Sequence, residues 1–203
     1  MLLLGCSLEQ KQVSTIDKMQ SLILTQNCIT PCWAGIQVGF TEFDNAKNIL
    51  QDRYGFDYVK VESNYLEWSN EINPNDGVKR GSVLFSVDGK VNDIFLILDE
   101  NSNFSVKDLF EILGEPSWVD TNWGGPVQPE KPCFGIALEF PNKGVWADLD
   151  SRNESKGVGE NQLVSILRFM PIPDAEKWHV YDFVSLKWNG YKDYCQIVVD
   201  SIP

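Results

Sequence analysis

Two helix starts about sixty residues apart, each followed by strands around a glycine turn, constrain this chain more than any other feature of its sequence. In Ser105-Val106-Lys107-Asp108 a hydroxyl stands at an N-cap with a carboxylate three residues on, so each can take an orphan backbone N–H of the other. Val106, Leu109, Phe110 and Leu113 share one helical face, and Gly114-Glu115-Pro116 ends the run with a C′ glycine and a following proline. Thr41 with Asp44 offers the same opening. Phe43, Ala46, Ile49 and Leu50 carry its apolar stripe, predicting a helix over 42–52 that ends near Gly55.

Strand patterns follow each helix. After the first come 58–62 and 65–69, then a polar loop over 70–79. Alternating Val83, Phe85 and Val87 lead into the Asp88-Gly89 turn, and 91–98 returns. After the second come 117–121, a Gly/Pro-rich loop over 122–132, then 134–140 and 144–149 joined through Pro141-Asn142-Lys143-Gly144. A fourth strand is expected over 163–170. The tail holds Trp178-His179-Val180-Tyr181 and a strand-like 195–199, expected to pack across the second unit. The expected fold is therefore α+β: two tandem helix-plus-antiparallel-sheet units, 28–100 and 101–203, with the helices packed on one sheet face. Before them, 1–6 reads as the end of a signal segment. Residues 7–27 read as a tether, in which Ile16, Met19, Leu22 and Ile23 could form one or two amphipathic turns.

Composition removes several functions. Seventeen Lys plus Arg against 29 Asp plus Glu leave a charge of −12, which repels a phosphate backbone, so no nucleic-acid partner is expected. The single histidine, His179, removes most zinc chemistry, and no Gly-x-Ser-x-Gly or Cys-Gly pattern gives it a nucleophile to serve. Asp148, Asp150, Glu154 and Glu160 are scattered carboxylates. Their spacing does not match a calcium loop, and a carboxylate pair for glycoside cleavage has no further support. No metal and no cofactor is expected. Besides Cys6, the cysteines Cys28, Cys32, Cys133 and Cys195 allow three pairings. A Cys28–Cys32 bridge is expected, since Pro31 supplies the non-helical bend that so short a ring needs, with Cys133–Cys195 a weaker second pair.

Leu3-Leu4-Gly5-Cys6 resembles a bacterial lipobox, which implies a lipidated Cys6 and a cell-envelope location with the membrane reached through the anchor alone. Only Met1 to Leu4 precede Gly5, so a complete export signal is expected to require residues upstream of Met1. Residues 104–119, a helix ending in Leu-Gly-x-Pro before strands, resemble the signature of small outer-membrane-assembly lipoproteins of the SmpA/OmlA group. The tandem arrangement is similar to the beta-lactamase inhibitor protein-like fold, whose repeats present a concave sheet to a partner. Pro31-Cys32-Trp33-Ala34-Gly35-Ile36 with Gly39 and Thr41 resembles a segment of uncharacterised lipoproteins of filamentous environmental bacteria.

Seven Trp, six Tyr and eleven Phe exceed what two thin helix-on-sheet units can fully bury. The expectation is a non-catalytic binding or assembly module presenting an aromatic sheet face, Trp118, Trp123, Trp146 and Tyr181, to a protein partner or envelope glycan. The alternative is an envelope enzyme or small-ligand sensor using carboxylates such as Asp148 and Asp150 in an acidic cleft.

Overall fold

A computed structural model describes residues 15–23, 30–69, 77–121, 135–150, 157–176 and 185–201. The helices are α1 (Thr15–Ile23), α2 (Phe43–Tyr54), α3 (Val106–Leu113), α4 (Ile172–Ala175) and α5 (Tyr194–Ser201). The strands are β1 (Cys32–Trp33), β2 (Ile36–Gln37), β3 (Val59–Val61), β4 (Tyr65–Ser69), β5 (Val78–Phe85), β6 (Val91–Leu98), β7 (Trp118–Asp120), β8 (Ala137–Phe140), β9 (Val145–Leu149), β10 (Val164–Phe169) and β11 (Ser185–Lys187). The protein is α+β, with a large antiparallel sheet and a few helices.

β1 and β2 form a small hairpin, and the other nine strands form one sheet in the order β11-β7-β8-β9-β10-β6-β5-β4-β3. Two meanders, β3 to β6 and β7 to β10, thus lie side by side and join where their last strands pair. Each meander is tied to the helix before it in the same way. Val91 N–H donates to the Thr41 carbonyl at 2.8 Å and Phe43 N–H to Gly89 at 3.1 Å; Val164 N–H donates to Phe104 and Val106 N–H to Gln162, both at 2.9 Å.

Because strand side chains alternate, the register sorts the sheet into two faces. One row across it reads Val59, Trp68, Gly81, Leu96, Leu167, Ala147, Leu138, Val119, Leu186. This inner face packs in one core with Met19 of α1, Leu50 of α2, Leu109 of α3 and Tyr194 of α5. α1, α2, α3 and α5 thus pack on this face, whereas Ala175 of α4 packs on the other, beside Trp146 and Ala137. The neighbouring row points outward: Lys60, Glu67, Ser82, Phe95, Arg168, Trp146, Glu139, Trp118, Lys187.

Three expectations need correction. Residues 15–23, assigned to the tether, form α1 and bury Met19, Leu22 and Ile23 in the core, because that short stripe meets α3 and β1. The strand-like 195–199 is part of helix α5: the Asp193 carboxylate accepts the Gln196 N–H at 2.8 Å, a cap that overrides the β-branched run. Thr41 does not cap α2. Its Oγ1 accepts the Gln37 N–H at 2.8 Å, and Glu42 occupies the cap without a side-chain bond. The capping box of α3 forms with the predicted pair, Ser105 and Asp108.

Candidate functional site

The outer sheet face is built from residues two apart on each strand, and its two halves differ in chemistry. Over β4, β5 and β6, with Ile166 from β10, it carries Tyr65, Phe95 and Ile97 half-buried and Leu84 at 41% exposed. Charges rim this patch. Lys60 Nζ donates to the Tyr65 hydroxyl at 3.3 Å and lies 3.1 Å from Glu62, while Arg80 stands exposed on the other side. An apolar centre inside a charged rim is the usual anatomy of a protein-binding patch.

At the junction of the two meanders, Arg168 on β10 holds Asp93 on β6. Its Nε donates to Asp93 Oδ2 at 2.7 Å and Nη2 reaches the same oxygen. Burial pushes the Asp93 carboxyl up, and Arg168 pulls it part of the way back. The other oxygen, Oδ1, is buried with no hydrogen-bond partner.

Beyond that pair the face is closed and acidic. Asp120 on β7, Glu139 on β8 and Asp148 on β9 point outward from adjacent strands and are 0%, 3% and 7% exposed. Asp120 and Asp148 flank Ala137 in one row, and Glu139 stands diagonal to both. The Trp146 indole donates to Asp148 Oδ1 at 2.6 Å, and the Ser185 hydroxyl reaches Glu139 Oε1 at 3.3 Å. Glu139 Oε2 is buried without a partner. Burial, with the Asp120 charge beside it, raises the Glu139 carboxyl to about 7. Burial is also the main cause that raises Asp148 to about 6, and the Trp146 hydrogen bond opposes it. Close carboxylates out of water cannot all ionise cheaply, so this half of the face holds protons near neutrality. Among the described residues, no group of three His, Cys, Asp or Glu side chains is placed to hold a metal ion.

The expected aromatic contact set is not assembled on an open surface. Trp146 is 3% exposed and packs with Ala137, Met170 and Ala175, because α4 and its approach cover that part of the sheet. Trp118 is half-buried at the sheet margin beneath Lys187, whose Nζ lies 5.7 Å from the ring centroid. Trp123 and Tyr181 lie outside the described residues, as do Cys6, Cys28, Cys133, Glu154 and His179. Cys32 and Cys195 are both disulfide-bonded. Asp150 is buried beside Asp148 in the chain, and Glu160 is exposed. The patch of Tyr65, Leu84, Phe95, Ile97 and Ile166 was missed. Its signal was the alternation within strands 65–69, 82–87 and 91–98, which names the outward positions once the inner ones are known.

These features define a class no finer than an α+β chain with a large antiparallel sheet and a few helices. No protein-family profile matches the sequence, and no curated protein sequence is similar to it. Among solved structures, a DUF4309 family protein (YjgB) from Bacillus subtilis subsp. subtilis str. 168 is similar at 9% identity and a TM-score of 0.38, over 68% of this chain and 84% of that one.

Proposed function

We propose that this protein is a non-catalytic binding or assembly module of a bacterial cell envelope, anchored by a lipid on Cys6, that receives a partner protein on the open half of its outer sheet face. The observation that carries the reading is the apolar patch of Leu84, exposed, with Tyr65, Phe95, Ile97 and Ile166, half-buried, inside a charged rim. Leu84→Arg should abolish pull-down of the partner from envelope extracts while the melting temperature stays nearly unchanged. Unaltered pull-down rejects this face. Labelled fatty acid incorporated by the full-length precursor and lost in Cys6→Ser tests the anchor.

The proposed architecture is a tandem pair of related units in the manner of the beta-lactamase inhibitor protein. The matching ties of α2 to β6 and of α3 to β10 support it, as do Gly55 and Gly114, each ending its helix at positive φ.

A second reading, an envelope enzyme or small-ligand sensor working through Asp148 and its neighbours, is favoured by the raised carboxyls of Asp148 and Glu139. It requires an opening of the covered face. Hydrolysis of envelope glycans that disappears in Asp148→Asn would favour it over the binding module.

A further inference from the structure

On the helix side of the sheet, away from the face just described, the turn of the β1–β2 hairpin, the segment after it and α2 border a shallow, open cleft of about 450 Å³. Four polar side chains line it together with Phe40 and Ile49. Asn45, Asn48 and Asp52 recur at helical spacing on a single face of α2 and are exposed, opposite the buried Ala46 and Leu50. None of the three makes a hydrogen bond within the described residues. Thr41 Oγ1 accepts the Gln37 N–H at 2.8 Å, which leaves its hydroxyl hydrogen to donate outward. Phe40 stands 70% exposed at the rim.

The backbone that carries this ring is held. Gly39 N–H donates to Val91 at 2.7 Å, Phe40 N–H to Gln37 at 3.2 Å, and Thr41 accepts from Val91, so the backbone on both sides is fixed to the sheet and hairpin. A Cβ built at Gly35 or Gly39 meets nothing within 4 Å, so neither glycine is crowded from the cleft side. A phenyl ring on this anchored backbone stands in water beside the polar face of α2.

We infer that this cleft is a binding site for a neutral sugar, one or two pyranose rings in size. A pyranose has an apolar C–H face that a phenyl ring can stack on and a rim of hydroxyls that both donate and accept. Two carboxamides, a hydroxyl and a carboxylate supply both roles. The volume falls within the range of small-ligand sites. Asp52 inside the cleft and the net charge of −12 around it repel phosphorylated or acidic ligands. The polar stripe on α2 equally disfavours a lipid tail or an apolar peptide.

The site does not rest on the outer-face reading, and its test keeps the two apart. Backbone amide shifts of the full chain are followed by NMR during titration with cellobiose, N,N′-diacetylchitobiose and maltose. Insoluble cellulose and chitin form a second arm. Saturable shifts confined to residues 35–52 with at least one disaccharide assign a site for free sugar, and retention on a polymer alone assigns one for a glycan chain. In either arm Phe40→Ala and Asn48→Ala should each weaken binding roughly tenfold or more. Leu84→Arg on the opposite face should leave it unchanged. Because both cleft residues are exposed, the variants should melt with the parent. Absence of saturable binding to all five probes, or binding indifferent to both cleft substitutions, overturns the assignment.

Discussion

At position 81 a missing side chain lets a tryptophan lie across the sheet. Trp68 stacks on Trp33 with ring centroids 5.2 Å apart and on Tyr54 at 5.5 Å, and Arg53 lies 5.9 Å from the Trp33 ring. Both tryptophans are essentially unexposed, and their indole N–H groups have no hydrogen-bond partner, so packing alone compensates for burying them. A Cβ at Gly81 would enter the Trp68 ring, with Cε2 at 2.7 Å. Gly81→Ala should therefore destabilise by about 1–3 kcal/mol, the usual cost of overpacking. Gly159→Ala, where a Cβ meets nothing and φ is ordinary, should be near neutral. Urea melts of the pair decide it: equal midpoints would show that Trp68 moves aside freely. The sequence names both glycines alike, since only the pairing of β4 with β5 brings Trp68 over one of them.

Among the elements, those whose ends are written locally were the most legible. Ser105 accepts the Asp108 N–H while Asp108 Oδ2 accepts the Ser105 N–H at 2.8 Å, and the helix runs over the predicted residues to Gly114. Ser105→Ala should cost about 1 kcal/mol, read as a lowered melting temperature; Thr41→Ala, at the corresponding place before α2, removes no helix cap. α5 was misread because its residues 197–199 favour strands in isolation. The Asp193 cap outweighs that preference, and the start of the helix is tied to the preceding turn, where the Tyr194 hydroxyl accepts the Asn189 N–H at 2.8 Å and donates to the Gly190 carbonyl at 3.0 Å. The link between the meanders is non-local, since Arg168 and Asp93 stand 75 residues apart. Arg168→Ala strands a buried carboxylate. A fully buried pair loses about 3–5 kcal/mol when one partner goes, and the partial exposure of Arg168 reduces that to about 2 kcal/mol. If Asp93→Asn in the same background does not recover part of the loss, the clamp is not electrostatic.

Across the whole molecule, alternation in the sequence assigned two faces to each strand but not the strand that would lie beside it. Asp148 reads in the sequence as one of several scattered carboxylates, and nothing local sets Asp120 or Glu139 beside it. They become neighbours only because β7, β8 and β9 pair in register, and all three are buried in the folded chain. That burial sets how the whole fold responds to pH. Unfolded, Glu139 and Asp148 titrate at their ordinary values of 4.5 and 3.8; folded, they hold their protons up to about 7 and about 6. Between those limits the folded state binds more protons than the unfolded one, so stability falls as pH rises. The contribution is fully present below about pH 4 and is lost through about pH 7. Asp93, also raised by burial, adds in the same direction. The melting temperature should therefore be higher at about pH 5 than at about pH 8, the reverse of a protein stabilised by paired carboxylates. Glu139→Gln keeps the shape and removes the ionisation, so it should raise the melting temperature at about pH 8 and flatten the profile between the two. A parent profile that rises with pH, or a Glu139→Gln profile as steep as the parent's, would mean that these carboxyls are ionised at no cost and that the covered half of the sheet is wetter than its burial implies.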